Sequence, residues 1–202
     1  MESSQTVADM KIQTFYCNPY RECTYILSDF PLENNPLGNL CVIIDPGMYG
    51  EKEEALVQAY LDTEHLVPTA VLITHTHPDH ICGLEYLQRH YPELLIYGLD
   101  SNVCHSLIPN THTLLLAGQI VTIILTPGHK KDSVCFYWQQ QGILFSGDTL
   151  FKESIGRTDL PTGDMRALVQ SLKHLSELPD ETVVYPGHGL STTIAYEKQF
   201  NP

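Results

Sequence analysis

Residues 70–80 read Ala-Val-Leu-Ile-Thr-His-Thr-His-Pro-Asp-His. Four apolar residues, enough for a short buried strand, run straight into a cluster of imidazoles and a carboxylate. The pattern recurs three times. Residues 120–125 run into Thr126-Pro127-Gly128-His129, 143–145 into Ser146-Gly147-Asp148, and 182–185 into Pro186-Gly187-His188-Gly189. Strand ends gather along one sheet edge, so these four termini are expected to meet in space. One histidine after a strand is ordinarily a surface or hydrogen-bonded residue. Four strands that all end this way point to a metal site.

His75 and His77, two residues apart after a strand, point the same way and can converge on one ion. Asp79 and His80 open the next helix and leave in different directions, so one ion cannot collect all four. A second ion resolves this. The expected division is His75, His77 and His129 on one ion and Asp79, His80 and His188 on the other, with Asp148 bridging both. Imidazole and carboxylate together suit Zn, Fe or Mn. Five of the ten histidines are thereby used; His65, His90, His105, His112 and His174 are expected at the surface or at helix ends. Cys82, one helical turn past the cluster, is expected to pack in the core. Lys130 and Lys131 form a solvated rim able to face an anionic substrate.

Alternating residues predict strands at 11–15 and 24–27, and a continuous apolar run predicts one at 40–44, with a Pro- and Asn-rich loop at 30–39 between them. Helices are expected at 51–61, 79–90, 164–178 (with Asp164 as N-cap) and 192–199. Mixed hairpins and strand–helix units imply an α/β or α+β arrangement of layered helices and sheets. No composition shift marks a linker, so a single domain over 11–202 is expected behind a loose leader at 1–10. Eleven Lys and Arg against 24 Asp and Glu give 11 − 24 = −13, which argues against nucleic acid and anionic membrane partners. The polar start and the lack of an apolar run of about 18 residues argue against export or membrane insertion. Six scattered cysteines read as reduced thiols, so the expected location is the cytoplasm.

With these motifs in place, the chain resembles the metallo-β-lactamase superfamily: His-x-His-x-Asp-His at 75–80, Thr-Pro-Gly-His at 126–129, Gly-Asp-Thr-Leu-Phe at 147–151 and Gly-His at 187–188. Ser-Ile-Gly-Arg-Thr-Asp-Leu-Pro at 154–161 is similar to single-domain, glyoxalase II-like hydrolases. The resemblance spans roughly 11–201 and implies a four-layer αββα sandwich with the metals at one sheet edge; Asp45-Pro46-Gly47 matches a structural turn of that family. It implies a binuclear metal hydrolase with two divalent ions, zinc before iron or manganese. The reaction implied is hydrolysis of thioesters of the S-lactoylglutathione type by a metal-bridging hydroxide, with Asp79 and Asp148 as catalytic residues. Two departures stand out. No C-terminal helical domain for glutathione is expected, and the family's Lys-x-Tyr aligns with Arg157 and Asp159. Arg157 is therefore expected to hold a substrate carboxylate, with Lys130 nearby. The rival resemblance is a glutathione persulfide dioxygenase with one Fe(II) on His75, His129 and Asp148; lactonase or β-lactamase chemistry on the same centre is a further alternative. The expected partner is a small thioester, with the protein a monomer or small homo-oligomer.

Overall fold

The computed structural model describes residues 10–28, 39–108 and 112–201. Residues 1–9 of the leader expected at 1–10, and nearly all of the loop expected at 30–39, lie outside these residues. Met10, assigned to the leader from sequence, is buried against the core, so the ordered domain already includes it.

Two mixed six-stranded sheets build the molecule. The first runs in spatial order β1 (Lys11–Cys17), β2 (Glu22–Ser28), β3 (Asn39–Ile44), β4 (Leu66–Leu72), β5 (Leu95–Gly98) and β6 (Ser106–Leu107). The second runs β14 (Thr192–Thr193), β13 (Val183–Pro186), β10 (Ile143–Gly147), β9 (Val134–Trp138), β8 (Gln119–Leu125) and β7 (Thr113–Leu116). A small hairpin of β11 (Leu150–Phe151) and β12 (Ser154–Ile155) stands apart.

Strand periodicity explains the layering. Val42 and Ile44 of β3, with Tyr25 and Leu27 of β2, face a shared core with Val121, Ile123, Phe136, Trp138 and Phe145 of the second sheet. Their neighbours Cys41, Ile43 and Ile26 face the other way, onto Val57 and Leu61 of α1 (Glu51–Thr63) and Leu84 and Leu87 of α3 (Leu84–His90). The outer face of the second sheet, through Cys135, Tyr137, Leu144 and Val184, packs on Leu175 of α4 (Met165–Leu175) and Ile194 of α5 (Ile194–Phe200). Strands buried on both faces read as unbroken apolar runs. The result is an α/β structure in helix, sheet, sheet, helix order.

The expected helix at 79–90 is two pieces, α2 (Pro78–Ile81) and α3. Gly83 sits between them, its N–H donating to Pro46 O at 2.8 Å, and a Cβ there would stand 2.6 Å from Met48 Cε. The break lets the chain press against the turn after β3. Cys82 is consequently only half-buried, its thiol donating to Pro78 O at 2.7 Å, and not the core residue expected. At 192–199, Thr192 and Thr193 pair with β13, and Thr193 caps α5 through a 3.2 Å bond from Tyr196 N. All six cysteines are free thiols, and burial pushes Cys17, Cys41, Cys104 and Cys135 up to about 12. Among the described residues no helix is long and apolar enough to cross a membrane.

Asp164 caps α4 as its sequence position suggests, its Oδ1 accepting from Arg166 N (2.8 Å) and Ala167 N (3.2 Å). Replacing it with alanine is expected to lower stability by about 1 kcal/mol in urea unfolding, with an unchanged m-value.

Candidate metal centre

Four strands deliver the clustered residues to one edge. β4 leads into 73–80, β8 into 126–129, β10 into Asp148, and β13 into Gly187 and His188. Backbone bonds tie that edge together: Val134 N to Thr74 O, Gly187 N to Gly147 O and Cys23 N to Gly187 O, each at 2.8 Å.

The support of each ring fixes which nitrogen it offers. Thr74 spends its only hydroxyl proton on Asp45 Oδ2 (2.5 Å), so at 3.1 Å it accepts from His75 Nδ1. His80 Nδ1 donates to Asp45 Oδ2 (2.9 Å), His129 Nδ1 to Arg157 O (2.8 Å) and His188 Nδ1 to Tyr20 O (3.1 Å). With Nδ1 committed to these partners, Nε2 is the atom each ring can offer to a cation, and all four Nε2 atoms face inward. His77 is reversed: its Nδ1 lies 3.0 Å from His75 Nε2 and 2.9 Å from His129 Nε2. Three ring nitrogens thus converge with at most one proton among them.

Across from this triad stand Asp79, His80 and His188, whose ligand atoms also lie within 4.8 Å of one another. His188 Nε2 is 3.4 Å and His80 Nε2 3.8 Å from Asp79 Oδ2. Asp148 lies between the two groups. Its Oδ1 is 3.4 Å from His80 Nε2, and its Oδ2 is 3.5 Å from His129 Nε2 and 3.6 Å from His188 Nε2. Ligands about 2.0–2.1 Å from a common ion are about 2.8–3.4 Å apart in octahedral or tetrahedral arrangements; the 2.9–3.0 Å spacings around His77 fall inside that range, and those around Asp79 and Asp148 run from its upper edge to 3.8 Å. His80 Nε2 and Asp148 Oδ1 are buried without a hydrogen-bond partner, as groups awaiting a cation would be. Gly187 makes room for them: a Cβ there would lie 2.2 Å from Asp148 Oδ1 and 2.7 Å from His80 Cε1. A third group with metal spacing, Asp45, His75 and His80, is a support cluster, since Asp45 is occupied by Thr74 and His80.

The electrostatics divide the same way. Burial, helped by neighbouring imidazoles, pushes His75 well below the usual histidine range and His77 down to about 4, so both stay neutral. Burial works against a charged His80, but Asp148 and Asp45 outweigh it and raise its pKa well above 6.5. Burial would likewise raise Asp148 and Asp79, yet the imidazoles hold both down, Asp79 to about 2.

A cavity of about 660 Å³ opens onto this centre, walled by Tyr20, Pro78, Phe151, Ile155 and Leu160. Arg157 lines it, but its guanidinium is paired bidentately with Asp159 at 2.7 and 2.6 Å. Lys130, expected beside the substrate, lies outside this cavity; its ammonium is bonded to Asp132 (2.8 Å) and Thr76. The five histidines left out of the cluster are all exposed. Sequence reasoning treated Asp45 only as a turn residue, although β3 running into a carboxylate repeats the pattern that marked the clustered side chains. The carbonyls of Arg157 and Tyr20 leave no sequence signal.

The family model for the metallo-beta-lactamase superfamily matches residues 37–101 and 103–188. The chain belongs to that superfamily. An uncharacterized protein of Mycobacterium tuberculosis is 36% identical over 88% of this chain and 90% of its own length. A hydroxyacylglutathione hydrolase of Yersinia pestis is 37% identical over 73% of this chain, and the match spans only 57% of that enzyme. Among solved structures, the BLEG-1 B3 metallo-beta-lactamase aligns with a TM-score of 0.81 at 30% identity, covering 95% of this chain and 98% of that one. ETHE1 from Myxococcus xanthus gives 0.81 at 27%, covering 96% and 84%. TTHA1623 in a di-iron-bound form gives 0.75 at 33%, covering 94% and 98%. The superfamily places this chain among hydrolases with a His/Asp metal-binding cluster, and the four-layer fold is its fold.

In this superfamily member without metal, histidine NMR is expected to show His77 protonating only near pH 4 and His80 keeping its proton above 6.5. A depressed His77 favours the folded state above pH 6.5, a gain lost as pH falls through 4. A raised His80 favours it below 6.5, a gain lost as pH rises. Unshifted titration of both rings contradicts the geometry.

Proposed function

We propose that the chain hydrolyses acyl thioesters of the S-lactoylglutathione type, with one divalent ion on His75, His77 and His129, a second on Asp79, His80 and His188, and Asp148 shared. The observation that carries this reading is Asp148, whose Oδ2 lies 3.5 Å from His129 Nε2 in one histidine group and 3.6 Å from His188 Nε2 in the other, with Oδ1 3.4 Å from His80 Nε2. Zinc suits the donor set, as do iron and manganese, and availability decides among them. Bound divalent ions supply Lewis acidity, lowering the pKa of water from about 15.7 to about 7 and stabilising charge on a carbonyl oxygen.

The remaining work falls to the chain. Asp79, ionised down to about pH 2 and bordering the cavity, accepts a hydrogen bond from the attacking water and aims it. The apolar wall of Tyr20, Phe151, Ile155 and Leu160 holds the carbon skeleton and excludes bulk water. A thiol leaving group with a pKa near ~8.5 departs without a dedicated acid. Arg157 meets a substrate carboxylate only by exchanging Asp159 for it, and both side chains are exposed enough for that exchange. The likeness to a hydroxyacylglutathione hydrolase supports the substrate class. The intact Asp79, His80 and His188 group supports two ions over the single Fe(II) of a persulfide dioxygenase.

The test is parallel assays of the metal-loaded protein on S-lactoylglutathione and other thioesters, on a β-lactam, on a lactone, and for oxygen uptake with glutathione persulfide. Thioester hydrolysis is expected to dominate, and His75→Ala or Asp148→Ala to lower kcat/KM by about 10²-fold or more. Oxygen uptake without thioester turnover assigns the dioxygenase reading instead, and full activity in either variant contradicts the scheme.

A further inference from the structure

Lys130 and Asp132 stand apart from the cavity but not from its ligands. Thr76 sits between His75 and His77 in the chain, and Asp132 Oδ2 takes both its N–H (3.0 Å) and its hydroxyl (2.7 Å). Asp132 Oδ1 accepts from Lys130 Nζ at 2.8 Å, and the same ammonium also donates to Thr76 Oγ1. Lys130 directly follows His129. The loop carrying His75 and His77 is thus cross-linked, through one lysine and one carboxylate, to the loop carrying His129.

We infer that Lys130, Asp132 and Thr76 form a brace of positioning residues that sets the geometry of the His75, His77 and His129 triad without touching substrate. The side chains of Lys130 and Asp132 are only 19% and 12% exposed, so this is not a loose surface pair. Hydrogen bonds to ionised partners are shorter and stronger than neutral ones, and a carboxylate receiving three of them holds its neighbours firmly. The Thr76 backbone sets the directions in which His75 and His77 leave the chain, so fixing it fixes both rings. Lys130 has two of its three donors committed here and borders a separate cavity of about 450 Å³ with Leu99, Asn102 and Thr162. It is therefore poorly placed to bind an anion over the metals. The Asp79, His80 and His188 group has other supports: Asp45 on His80, the Tyr20 carbonyl on His188, and Asn18 Nδ2 donating to Asp79 O at 2.9 Å. The brace should therefore act on one site and spare the other.

This inference rests on the reading that the two groups each hold an ion. It is tested by titrating zinc into metal-free protein against a chromophoric chelator, and by recording the cobalt(II) absorption spectrum of the same samples. Asp132→Ala and Thr76→Val are expected to weaken one of two zinc sites by about 10–100-fold and to shift the cobalt bands of that site alone. Thr76→Ser, which keeps the hydroxyl, is expected to match the unmodified chain. Equal weakening of both sites, or unchanged affinity at both, overturns the brace while leaving the metal reading intact. An unmodified chain that binds no zinc overturns both. Where Asp132→Ala fails to fold, the comparison of Thr76→Val with Thr76→Ser decides.

Discussion

Ring nitrogens and carboxylate oxygens crowd together where four strands end, and the rest of the structure holds them there. Groups of this kind have no reason to share a buried space. His77 Nδ1 lies within 3.0 Å of two other ring nitrogens, with at most one proton among the three, and Asp148 Oδ1 has no hydrogen-bond partner. Burying unsatisfied polar atoms is costly, and a cation is what turns that cost into binding. The pKa directions express the same tension. His80 holds a proton between Asp148 and Asp45, where a cation could take its place, while His75 and His77 stay neutral.

The fold supplies the restraint. Two sheets share one apolar layer, so strand ends from both arrive at a common edge, and helices cover the outer faces. Around the edge, each support has a separate task. Asp45 orients His80 and engages Thr74, main-chain carbonyls hold His129 and His188, and Gly187 leaves space that any side chain would fill. Such partners fix the tautomer and aim of metal ligands. They come from segments far apart in the chain, which explains why the centre needs the whole double-sheet body.

Much of this was legible in the sequence because it follows from short-range rules. Apolar runs ending in His or Asp marked the side chains that cluster at the sheet edge, and the two-residue spacing of His75 and His77 set them on one side. Asp164 announced its helix by capping chemistry. What escaped depends on tertiary approach. The break at Gly83 comes from its contact with the turn after β3, which no helical periodicity records. The half-buried placement of Cys82 follows from that break. Short strands such as β5 and β9 take their place by pairing with β4, β8 and β10. Lys130 follows His129 and carries a charge, which suggests substrate contact, yet Asp132 two residues later draws it onto Thr76.

The central claim is that seven side chains form one centre for two ions. Counting tightly bound divalent metal per chain, by elemental analysis after reconstitution and exhaustive dialysis, addresses it most directly. The account expects two ions in the unmodified protein and fewer than two in Asp148→Ala. A protein that retains one ion or none under these conditions, or an Asp148→Ala variant that still retains two, contradicts it.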